Sequence, residues 1–125
     1  MTLRNLLLLN GIVLLIFALA LLLLPGTILD LFGLTAGGAD KLLGQLVGVE
    51  LLANALVSLF AMDVSERKIK FAFTLSFFIA DGIGFIISAG GVLSGAMNPL
   101  GWIIVAVYLL LALGFAYFQF IGPTE

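Results

Sequence analysis

Leu42–Met62 reads LLGQLVGVELLANALVSLFAM and Phe71–Gly91 reads FAFTLSFFIADGIGFIISAGG. Each is an uninterrupted apolar run of the ~20 residues that an α-helix needs to cross the hydrocarbon core of a bilayer. Each also carries one acid near its middle, Glu50 in the first and Asp81 in the second. The eight residues between them, DVSERKIK, form a short hydrophilic turn. The pair therefore reads as a membrane hairpin with a carboxyl group inside each arm.

Two more runs flank it, Leu6–Leu24 and Leu100–Phe120. The chain is 63% hydrophobic, with a mean hydropathy of +1.34, and a water-soluble domain of 125 residues has too little interior to hide that much apolar surface. The expected fold is all-α: one transmembrane domain of four helices over residues 6–24, 42–62, 71–91 and 100–120. With neither Cys nor His, disulfides, thiolate or imidazole metal sites and His-based triads are excluded from this chain alone. No metal site, no cofactor and no enzymatic nucleophile–base set is expected. No basic cluster points to nucleic acid, so the expected surroundings are the lipid bilayer, a second copy, or a larger membrane complex.

Between the first two spans, Pro25-Gly26 is expected to stop the first helix. Thr27 and Asp30 then have the spacing of a capping box, and Ile28, Leu31 and Phe32 recur at helical intervals before Gly33. A one-to-two-turn helix lying in the interface is the expected result. Thr35–Asp40 (TAGGAD) reads as a flexible link. Asn98-Pro99 suits the start of the last helix, with Asn as N-cap and Pro at the first helical position. Asn10, about one turn inside the first span, is expected to reach the headgroups. Trp102 and Tyr117 fall where interfacial aromatic belts lie.

Four crossings put both termini on one side. Arg4, Arg67, Lys68 and Lys70 share that side and Lys41 stands alone on the other, so the positive-inside rule is expected to place both ends in the cytoplasm.

The two acids lie at matching depth. Glu50 is twelve residues from Met62 and Asp81 eleven from Lys70, about 16–18 Å from the inner boundary at ~1.5 Å per residue. Glu50, Asn54 and Ser58 follow at i, i+4 and i+8 on one helix face. Thr74, Asp81 and Ser88 recur every seven residues on the next, with Gly84 beside them. Two such stripes turned toward each other would satisfy groups that lipid leaves unpaired. No base lies within the spans, so at least one carboxyl is expected to keep its proton. The cluster Glu50, Asp81, Asn54, Ser58, Thr74 and Ser88 is then either a packing clasp or a proton or cation site on a transport path. Gly44 and Gly48 form a separate G-x-x-x-G stripe inviting close approach of the first span, the last span or a second subunit.

The runs LLLPGTILDLFGL (22–34) and GAMNPLGW (95–102), with Gly44 and Gly48 between them, resemble those of small uncharacterised four-span bacterial membrane proteins. The resemblance implies a cytoplasmic-membrane bundle with no catalytic residues to carry over, and such proteins often have a basic residue where Gln45 stands here. Small multidrug exporters place an essential Glu in the first span, and Leu6–Leu24 has no acid. The pore motifs of small fluoride channels are likewise not visible. The expected role is an accessory or structural membrane component that self-associates. The alternatives are a proton- or cation-coupled transporter using Glu50 and Asp81, and a protein that binds lipid or another hydrophobic ligand, whose mark would be an apolar crevice open to the bilayer.

Overall fold

The computed structural model describes residues 1–34 and 37–122. Among them are five helices and no strand: α1 (Leu3–Leu23), α2 (Pro25–Leu31), α3 (Gly38–Ala61), α4 (Arg67–Leu93) and α5 (Gly101–Phe120). All but α2 are long and apolar enough to cross a membrane, and their outward faces carry large bare apolar side chains such as Ile16, Leu46, Ile86 and Leu110. The chain is an integral, multi-pass membrane protein built as an all-α bundle.

Local chemistry sets the boundaries. The first span ends at Leu23, but Pro25 opens α2 rather than merely stopping α1, because a proline needs no N–H partner at the first helical position. Thr27 therefore lies inside α2, and the expected capping box with Asp30 does not form. Gly33 (φ +74°) does close the turn, in a conformation that glycine adopts without strain. Thr35 and Ala36 of the expected link lie outside the described residues, but α3 already begins at Gly38, where the Asp40 carboxylate accepts the Gly37 N–H at 3.1 Å. The Asn98 side chain accepts the Leu100 N–H, and Asn98-Pro99 forms a tight turn from which α5 becomes regular at Gly101.

The spans pair as two antiparallel hairpins, α1 with α3 and α4 with α5. In the first, Gly11 and Ala18 of α1 meet Gly48, Ala55 and Leu59 of α3. A Cβ added at Gly48 would come within 3.2 Å of the Ala18 carbonyl, and one at Gly11 within 2.6 Å of Leu59. Small residues here let the backbones approach closely, which is what packing in lipid rewards. The G-x-x-x-G stripe is thus covered by the first span at Gly48 and by Leu21 of that span with Leu29 of α2 at Gly44. In the second hairpin, the Tyr108 ring packs against Gly84, Gly101 receives Val92, and Phe77 stacks on Phe115 with centroids 5.1 Å apart.

The hairpins are joined at their ends. At one end, Leu3, Leu6, Leu7, Ala61, Phe77, Leu111, Phe115 and Phe118 form the buried core. Arg4 and Asp63 approach to 3.7 Å at the same end, which puts the chain start and the α3–α4 turn on one side. At the other end, the Asn98 backbone N–H donates to the Phe32 carbonyl (3.0 Å) and its side-chain amide to the Leu31 carbonyl (2.9 Å), latching the α4–α5 loop to the end of α2. Between these ties, α3 and α4 scarcely touch. The sequence neighbours expected to pack along their length are the pair that parts.

Gly48→Leu should therefore lower stability by about 1–3 kcal/mol through overpacking against α1. Gly82→Ala, where an added Cβ meets nothing, should be neutral or up to about 1 kcal/mol stabilising. Reversible unfolding in mixed detergent micelles checks both.

Candidate functional site: a crevice between the hairpins

Where the hairpins part, a crevice of about 380 Å³ runs inward between α3 and α4. Leu51, Asn54 and Val57 line it from α3, and Phe73, Ser76, Phe77, Ala80 and Asp81 from α4, with Leu14 and Tyr108 contributed by α1 and α5. Asn54, Val57, Ser76 and Ala80 are also exposed on the bundle surface, so the mouth opens sideways. A smaller apolar space of about 170 Å³ shares Leu14, Leu51 and Tyr108 with it and continues toward Val13, Phe17, Leu21 and Ile104. Together they form a lateral slot with a polar middle and an apolar extension.

Its polar centre is Asp81. The residue is 6% exposed, and its Oδ2 is buried with no hydrogen-bond partner among the described residues. Ala80 and Gly82 on either side are small, and Gly84, one turn on, lets the Tyr108 ring sit against the α4 backbone. The Thr74 and Ser88 hydroxyls do not serve the carboxyl. Each donates within its own helix, Thr74 to the Lys70 carbonyl and Ser88 to the Gly84 carbonyl, both at 2.7 Å. Thr74, Asp81 and Ser88 are all buried, on the stripe of α4 that also carries Phe77 and Gly84, which meet Phe115 and Tyr108 of α5.

The stripe on α3 is divided as well. Ser58 is buried against α1, where its hydroxyl donates to the Leu7 carbonyl (2.8 Å) and accepts from the Asn10 amide (3.0 Å). Asn10 is fully buried, so the expectation that it reaches headgroups is corrected: a polar group on a helix packed face to face bonds the partner helix instead. Asn54 lines the crevice. Glu50, one turn away on the same stripe, is exposed and has no partner among the described residues. The expected clasp of Glu50 and Asp81 is therefore not formed, because α3 spends its small and hydroxyl groups on α1 and stands away from α4. Gln45 donates to the Leu22 carbonyl at 3.2 Å, satisfying one of the open carbonyls in the last turn of α1.

No group of three or more acidic residues able to hold a metal ion is found among the described residues. Comparison of the chain with protein-family models, curated proteins and solved structures finds no match.

A carboxyl with no protein partner costs stability, whereas a bonded hydroxyl supplies it. Asp81→Leu should raise unfolding stability by about 1–3 kcal/mol. Ser58→Ala should lower it by about 0.6–2 kcal/mol. Unfolding in micelles reads both; a loss of stability in Asp81→Leu would instead show that the carboxyl holds the helices together.

Proposed function

We propose that this protein is a non-enzymatic accessory component of a bacterial inner membrane, and that it takes a hydrophobic ligand from the bilayer into the slot between its hairpins. The observation that carries this reading is the crevice itself, which draws on all four spans and opens to the side. Its volume falls in the range of small-molecule sites, and its lining is mostly apolar with a few polar groups, as such sites are. The aromatic core at one end and the Asn98 latch at the other favour binding over passage across the membrane. The bases Arg4, Arg67, Lys68 and Lys70 support a cytoplasmic position for the end with the aromatic core.

Dodecanol serves as a neutral probe. Labelled dodecanol should bind saturably, about one per chain, to the protein in phosphatidylcholine nanodiscs above the level of empty discs. Ala80→Phe, at the rim, should reduce that binding several-fold. Absence of saturable binding by dodecanol and by its charged counterparts of the same chain length would overturn the reading.

A second reading, self-association, is favoured by one specific observation: Glu50 stands exposed near the middle of a span, with no partner among the described residues. A carboxyl there is costly to leave against lipid. A two-fold contact between copies through the exposed face of α3 would withdraw Glu50 from lipid. The chain lacks cysteine, so Ala53→Cys should form a disulfide-linked dimer in membranes while Ile86→Cys should not. Glu50→Leu in the Ala53→Cys background should lower the yield, and Glu50→Gln should keep it. Equal cross-linking at both cysteine positions would contradict a specific interface.

A further inference from the structure

The lining of the slot points to the charge of what it takes. We propose that the ligand is a cationic amphiphile, an apolar chain or ring system bearing one protonated amine. Its ammonium would sit beside Asp81 and its apolar body would extend toward Phe17 and Ile104. This inference rests on the slot being a binding site for a bilayer-borne ligand.

Three features of the molecule converge on that chemistry. The first is the Asp81 side chain, more than nine-tenths buried, lining the crevice and without a hydrogen bond among the described residues. Buried carboxyls are ordinarily paired, and this one is not served by the nearest candidates on its own helix, because Thr74 and Ser88 bond backbone carbonyls. No Lys or Arg lines either space. The nearest base along α4, Lys70, is eleven residues away, roughly 16 Å of helix. A guest must bring the positive charge.

The second is Tyr108. Its ring is held against Gly84, where a Cβ would come within 2.5 Å of Cε1, and it lines both the crevice and the apolar extension. An aromatic ring close to a carboxyl is a common cradle for an organic ammonium, through the ring's negative face. Asn54 adds an amide oxygen from α3, and Glu50, a turn from Asn54, places a second carboxyl on the same stripe.

The third is what the slot lacks. A bare Na⁺ or Ca²⁺ needs several oxygen ligands, and this lining is dominated by Leu14, Leu51, Val57, Phe73, Phe77 and Ala80. Those side chains suit hydrocarbon. An anionic amphiphile such as a fatty acid would meet Asp81 with like charge. An amine on an apolar body is the class that uses both halves of the slot.

The experiment compares dodecylamine, dodecanol and dodecanoate, which share a chain and differ in head charge. Each is titrated at pH 7 against the full chain in neutral phosphatidylcholine nanodiscs, with empty discs as the blank. Dodecylamine should saturate at about one per chain and bind at least about tenfold more tightly than dodecanol, a difference of ~1.4 kcal/mol. Dodecanoate should bind most weakly. Asp81→Asn should abolish the preference for dodecylamine over dodecanol, with an unchanged helical circular dichroism spectrum in nanodiscs showing that the variant is folded. Saturable binding of amine and alcohol with equal affinity would overturn the charge assignment and leave the slot as an apolar site. Failure of all three probes to saturate would overturn the binding reading and this inference together. The selectivity of the unaltered protein decides the matter even where Asp81→Asn does not fold.

Discussion

In a hydrocarbon core, a polar side chain can bond only to protein, so each span must find partners for its polar groups where its backbone packs most closely. In this bundle the close approach occurs within two hairpins. Gly11 and Ala18 admit α3 against α1, and that contact brings Ser58 onto Asn10 and the Leu7 carbonyl. Gly84 and Gly101 admit α5 against α4 in the same way. Once α3 is committed to α1 and α4 to α5, little holds α3 to α4. The slot follows from how the small residues are distributed.

The slot has a polar character because the same commitment leaves two acids unserved. Asp81 is carried inside with Tyr108 beside it, while Glu50 remains outside on α3. The two groups do different things: one lines the interior of a crevice, and the other is exposed on α3, one turn from Asn54. Keeping an unpartnered carboxyl buried spends stability, a pattern found where a site is held ready for something else.

The four long apolar helices were legible in hydropathy, since runs of this length leave few alternatives to crossing the bilayer, although α3 begins at Gly38 ahead of the expected Leu42 and α4 at Arg67 ahead of Phe71. Gly33 and Pro25 marked the short α2, although the proline proved to start the helix that Thr27 was expected to cap. The pairing of spans was not legible in the same way. Glu50-Asn54-Ser58 and Thr74-Asp81-Ser88 look alike as polar stripes, and the short turn suggested that they meet. The better signal lay in the small residues, because Gly11 and Ala18 on α1 match the seven-residue spacing of Gly48 and Ala55 on α3. Asn10 was misjudged for the same reason: its burial depends on which helix covers it. Leu14, Leu51, Phe73 and Phe77 carry no mark in an apolar sequence that sets them apart as lining residues.

Opening of the slot between α3 and α4 in a real bilayer is the central claim. Nitroxide labels at Ala80→Cys and, as a buried control in α5, Ala112→Cys test it through collision with oxygen, which concentrates in lipid, and with a polar nickel chelate, which stays in water. The account predicts a label at position 80 that is open to oxygen and closed to nickel, and one at 112 closed to both. A label at 80 shielded from oxygen would mean that α3 and α4 close together, and one reached by nickel would mean a water-filled pore; either would contradict it.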